Sequence, residues 1–178
     1  MKLAPNRDVR AMAALAMARA GDTAGAEKLT TELGKTFPLD TLVQRYWLPT
    51  IRAAMAMEHN DSSRAVELLK ETNAIELCTP TNLTVFLVPV YVRGKTYLAM
   101  AEGDRAVAEF QKFLDHGGLV GNFPWGALAR LGLARAYAMQ GNTAKAKAAY
   151  QNFLTLWKDA DLDIPILKQA KAEYAKLQ

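Results

Sequence analysis

Four times along the chain a small residue is followed twelve positions later by alanine: Ala14 and Ala26, Ala53 and Ala65, Gly94 and Ala106, Ala134 and Ala146. Successive copies lie 39, 41 and 40 residues apart. A fixed internal spacing of this kind marks stacked helical hairpins, because two helices approach closely only where both lack bulk. The expected fold is all-α: a right-handed α-solenoid of four hairpins, over about 7–40, 41–80, 83–120 and 123–160, followed by a capping helix over 163–178. No sharp boundary interrupts the pattern, so residues 1–178 read as a single repeat domain.

Composition narrows the kind of work such a chain can do. Half the residues are apolar, with alanine the commonest, and small apolar residues favour helices intrinsically. The 22 basic and 18 acidic residues leave a net charge of +4, scattered without a run of five like charges. That is no electrostatic footprint for nucleic acid. The longest apolar stretch, Val85 to Val92, contains Pro89 and falls far short of the ~20 residues a membrane span needs. The start, MKLAPNRDVR, has no apolar core of signal-peptide length, so a cytoplasmic location is expected. An alanine-rich helix beginning almost at once is expected of a domain cut from a longer protein.

Nine helices are predicted. The first covers about Arg7 to Ala20 and ends at Gly21-Asp22, where glycine can adopt a left-handed cap and aspartate can cap the next helix. The same turn recurs at Asn60-Asp61, Glu102-Gly103-Asp104 and Gly141-Asn142. The second helices are expected at about Thr23 to Thr36, Ser62 to Ala74, Arg105 to His116 and Thr143 to Lys158. Breakers separate the hairpins at Phe37-Pro38-Leu39-Asp40, at Cys78 to Asn82 and along the glycine-rich run His116 to Pro124. Pro49 and Pro89 predict kinks or late helix starts. From Asp163 onward a stripe of Leu167, Ala170, Tyr174 and Leu177 predicts the cap, with Lys168, Lys171, Glu173 and Lys176 on its other faces.

The fourth copy, Leu133 to Asn142 followed by Ala146, Tyr150 and Phe153, resembles the tetratricopeptide repeat, whose pattern has leucine, a small residue, tyrosine, glycine, alanine and an aromatic at those offsets. The third copy fits through Gly94, Tyr97, Ala106 and Phe110, and the first through Ala14, Gly21, Ala26 and Pro38. The second keeps Ala53 and Ala65 but has Ala56 and Leu69 where tyrosine and an aromatic are usual. The period near 40 exceeds the usual ~34. A HEAT-like array accommodates that length but not the recurring small, tyrosine, glycine, alanine order. Segments 19–29, 37–54, 109–118 and 134–178 further resemble the C-terminal repeat region of acidobacterial proteins that join these repeats to a eukaryotic-like serine/threonine kinase or a winged-helix domain. The resemblance implies a scaffolding or sensory module of a bacterial signalling protein.

Catalytic chemistry finds no support in the residues. The glycine-rich phosphate loop, the His-Arg-Asp loop and the Asp-Phe-Gly motif of kinases are absent. His59 and His116 lack zinc-ligand spacing, and Cys78 has no neighbouring histidine to act as base. No enzyme activity, metal or cofactor is expected. The remaining surface is the inner face, read at positions six and three before each small residue and one, four and five after it. Its candidate binding residues are Leu15, Arg19, Trp47, Met57, Tyr91, Lys95, Leu98, Leu131, Arg135 and Met139. An apolar groove with cationic rims suits a peptide or protein with apolar anchors and acidic character. The same groove could instead take a small molecule or a second copy of the chain. Ala11, Leu15, Ile51, Val88 and Val92 stand where relatives that grip chaperone carboxylates carry donors, so that ligand is disfavoured.

Overall fold

The left-handed residue that ends a first helix falls seven positions after the small residue in all four copies: Gly21, Asn60, Ala101 and Gly141 have φ of 84°, 58°, 57° and 71°. The next amide then closes the same six-to-one bond back into the helix each time. Asp22 N–H donates to the Met17 carbonyl at 3.0 Å, and Asp61, Glu102 and Asn142 donate to Ala56, Tyr97 and Tyr137, each at 2.9 Å. The turn set by the internal repeat is therefore one structure used four times.

The computed structural model describes residues 6–77, 87–121 and 123–177. Cys78, the Cys78 to Asn82 breaker and the boundary between the second and third predicted copies lie outside them. Among the described residues the chain is all-helical, with α1 Arg7–Arg19, α2 Thr23–Thr36, α3 Leu48–Glu58, α4 Ser62–Leu69, α5 Val88–Ala99, α6 Gly103–Asp115, α7 Gly117–Val120, α8 Trp125–Met139, α9 Thr143–Leu156 and α10 Pro165–Ala175. Side-chain caps explain several starts. Asp22 accepts from the Gly25 amide at 2.9 Å, Asp61 from Arg64 at 2.9 Å and Asn142 from Lys145 at 3.2 Å.

The third turn differs from expectation. Ala101, not Gly103, takes the left-handed position, and Gly103 opens α6. Gly103 is glycine for another reason, since a Cβ there would come within 2.8 Å of Gln140 Cγ and 3.3 Å of the Ala136 carbonyl oxygen. A non-glycine residue in this conformation is strained by roughly 1–2 kcal/mol. Ala101→Gly is accordingly expected to stabilise the protein by about 0.5 kcal/mol, after the added entropy of the unfolded chain, read as a higher melting temperature. An unchanged or lower one counts against a shared turn geometry.

Two further departures concern helix ends. The fourth helix stops at Leu69 and tightens into a 3₁₀ turn over Lys70–Thr72 instead of running to Ala74. The glycine-rich run does not stay irregular: it forms the short α7, which ends at Gly121 with φ 54°. Pro49 acts as neither a simple kink nor a start. Ahead of it Val43–Trp47 is π-helical and runs directly into α3, with the Leu48 amide bonded to Val43 five residues back. A wider turn relieves the crowding and lost donor that proline imposes on a regular helix. Pro89 is the second residue of α5, where its missing N–H costs nothing.

The chain divides into two compact units between Thr96 and Tyr97. In the first, α1 packs on α2 and α3, and α3 on α4. Its small residues Ala14, Ala26, Ala53 and Ala65 are all fully buried, around a core of Leu33, Tyr46, Trp47, Ile51 and Leu69. In the second, α8 packs on α6 and α9, and α10 on α9. Gly132 lets α6 approach, since a Cβ there would sit 2.6 Å from the Phe110 ring. Leu167 and Ala170 of α10 are buried as the stripe predicts. Glu173 is not on an outer face of that helix: it accepts a forked bond from Arg135 at 2.9 and 3.0 Å and a third bond from the Tyr150 hydroxyl at 2.9 Å. Burial, with the Glu173 charge beside it, pushes that phenol above its ordinary range, so it remains a donor.

Candidate functional site

Within the first unit, the last turns of α1 and α3 and the middle of α5 enclose a cleft of about 200 Å³ lined by Arg19, Ala54, Met57, Glu58, Tyr91, Val92 and Lys95. All of these except Val92 occupy the inner positions read from the sequence. The Arg19 guanidinium lies over the Tyr91 ring, 5.6 Å from its centre. Tyr91, Ala54 and Val92 form the apolar floor, Met57 is half-buried, and Arg19, Glu58 and Lys95 are exposed at the rim. Such a cleft can hold one apolar side chain and bring two cations and one carboxylate to its neighbours.

Four of the ten predicted site residues, Arg19, Met57, Tyr91 and Lys95, thus meet in one place. Leu15 is 5% exposed, Trp47 and Leu131 1%, which puts all three in helix-packing cores. Arg135 is held by Glu173, Leu98 is half-buried, and Met139 is exposed on α8. The pattern within the helices is regular. Of the positions six before the small residue, Asp8, Trp47 and Val88 are buried and Leu128 is half-buried, whereas those five after it, Arg19, Glu58, Ala99 and Met139, are exposed. Early turns are covered by packing and only the last turns stay open. Val92 lies one residue outside the inner set read from the spacing, and the sequence pointed to it only as a position that lacks a carboxylate donor.

The cleft is fixed from behind. Tyr46, fully buried, accepts the Val88 amide through its hydroxyl oxygen at 3.1 Å, which satisfies a donor at the start of α5. Burial holds that phenol far above its usual range. On the same helix Arg93 is buried against Glu76 at 2.6 Å and Asn73 at 2.8 Å. These bonds set the rotation of α5 that turns Tyr91 and Lys95 toward α1 and α3.

A larger depression of about 740 Å³ lies in the second unit, lined mainly by Phe113, Val120, Phe123, Leu156 and Trp157 beside the glycine-rich run. Among the described residues no group of histidine, cysteine and acidic side chains comes together as a metal site. No helix there is long and apolar enough to cross a membrane.

Helical hairpins joined by the recurring turn place the fold among all-α repeat architectures. Residues 128–160, which run from within α8 through α9, match the tetratricopeptide repeat. No curated protein and no solved structure gives a significant match. Repeats of this kind generally mediate contacts between proteins.

Proposed function

We propose that the chain is a non-enzymatic protein-interaction module that binds a peptide or protein segment at the Arg19, Met57, Tyr91 and Lys95 cleft. The observation that carries this reading is the convergence of those four side chains from three helices onto one opening. Tyr91 and Met57 supply the apolar contact, and Arg19 with Lys95 selects acidic neighbours and speeds encounter. The small-molecule alternative fits less well, because about 200 Å³ is below the ~300–1,000 Å³ of sites that enclose a whole ligand. The likeness of segments 19–29, 37–54, 109–118 and 134–178 to repeat regions attached to kinases or winged-helix domains supports a cytoplasmic place at the C-terminal part of a bacterial signalling protein.

Selection from a displayed peptide library tests the binding claim. Enriched sequences are expected to pair a bulky apolar residue with aspartate or glutamate. Tyr91→Ala should weaken them by about 2 kcal/mol. Lys95→Glu should weaken them mainly at low salt, since exposed charges are screened as ionic strength rises. Selected peptides that bind Lys95→Glu as well as wild type at every salt concentration would sink the proposal.

A further inference from the structure

The outward face of α1 is apolar and exposed, and none of the other described helices covers it. Val9, Met12 and Met17 are 39%, 46% and 36% exposed, and Ala16 is exposed between them. Spaced at i, i+3, i+7 and i+8, they form one continuous stripe. The internal repeat says what such a stripe is for. Counting from the small residue, Val9, Met12 and Ala16 correspond to Leu48, Ile51 and Met55 of α3, which are 3%, 0% and 8% exposed. There α2 lies against the stripe: a Cβ on Gly34 would be 3.2 Å from Leu48 Cδ1. In α8 the corresponding residues are Ala129, Gly132 and Ala136, all buried, and the helix that covers them is α6. Phe110 seats on Gly132, and the start of α6 at Gly103 meets the end of α8 at Ala136, so the covering helix runs antiparallel. Two other first helices thus carry a covering helix on the face that α1 leaves open.

The margins of the stripe indicate the chemistry of the occupant. Arg10 flanks one side and Arg19 the other, while the sole acidic residue of α1, Asp8, is buried and bonded to Arg7. A second copy paired through this face would bring arginine to arginine. We propose that the α1 stripe docks an amphipathic helix with acidic margins, presented by a partner protein, antiparallel to α1 in the position that α6 takes on α8. The α6 pairing already uses an acid at the entering end, where Gln140 donates to Asp104 at 2.6 Å. This surface is separate from the cleft proposed above, apart from Arg19, which borders both.

The probe is a synthetic helix with leucine at every third and fourth position and glutamate on both margins, compared with a twin carrying lysine at the margins. Fluorescence anisotropy with the whole chain is expected to show at least tenfold tighter binding of the glutamate peptide. Met12→Glu with Ala16→Glu should weaken it at least tenfold with no fall in melting temperature, and Lys95→Glu should leave it intact. On unsubstituted protein the Met12 and Met17 methyl resonances should shift on titration while that of Met57 stays, a readout that needs no variant to fold. Equal binding of the two peptides, or no binding, overturns the proposal. So does binding lost in Lys95→Glu, which moves the contact to the cleft. A dimer in sedimentation equilibrium that Met12→Glu with Ala16→Glu dissolves assigns the stripe to a second copy instead.

Discussion

Arg93→Ala is expected to destabilise the protein by about 3–5 kcal/mol, because it strips a buried carboxylate of its countercharge. Arg93 is 5% exposed and Glu76 6%, and their nearest N–O distance is 2.6 Å. The same guanidinium donates to Asn73 Oδ1 at 2.8 Å and to the Leu69 carbonyl at 3.3 Å, so one side chain ties the 3₁₀ turn and the residues after it to α5. Thr72, also fully buried, completes the cluster by donating to Leu69 at 2.8 Å. Removing the cation leaves Glu76 buried without it and also takes a donor from the buried Leu69 carbonyl and from Asn73 at the surface. Replacing both charged partners should be far milder, since an apolar pair of similar volume needs no desolvation. Denaturant unfolding of Arg93→Ala beside Arg93→Met with Glu76→Met decides the matter. The double variant should recover most of the loss, and equal loss in both would mean that packing volume, not the stranded charge, sets the cost.

Nothing in the linear sequence announces that pair. Arginine and glutamate seventeen positions apart, in a chain whose charged residues are mostly solvated, read as two surface residues. Their burial follows from how residues 70–77 fold back on α5, and that return follows from the early end of α4 at Leu69. By contrast the hairpin turns were legible to within two residues. Gly21, Asn60 and Gly141 mark themselves because few residues tolerate positive φ, and Asp22, Asp61 and Asn142 because their short side chains reach the amides of the next helix. Ala101 escaped notice because a strained alanine looks like any helical alanine. For the site, the spacing rule found the open last turns but could not tell them from the covered first turns, since Met139, 44% exposed, and Trp47, 1% exposed, are both apolar on paper.

Trp47 is where that ambiguity has the largest consequence. The sequence places it on the binding face, yet the ring is 1% exposed and meets Tyr46 edge to face, with centres 5.2 Å apart and planes at 79°. Trp47→Ala is therefore expected to cost about 3–5 kcal/mol through the cavity it opens, and any loss of binding should track loss of fold. A second substitution separates packing from chemistry. The indole Nε1 is buried without an acceptor among the described residues, a penalty of roughly 1–3 kcal/mol that the fold carries for the sake of ring volume. Trp47→Phe removes that stranded donor along with part of the ring, so the two effects oppose each other and the net change should stay within about 1.5 kcal/mol. Thermal melts of the two variants, read beside peptide binding, give opposite answers for the two roles. A core residue predicts a collapsed alanine variant and a phenylalanine variant that folds and binds. A groove anchor predicts that both fold, with binding lost in the alanine variant alone.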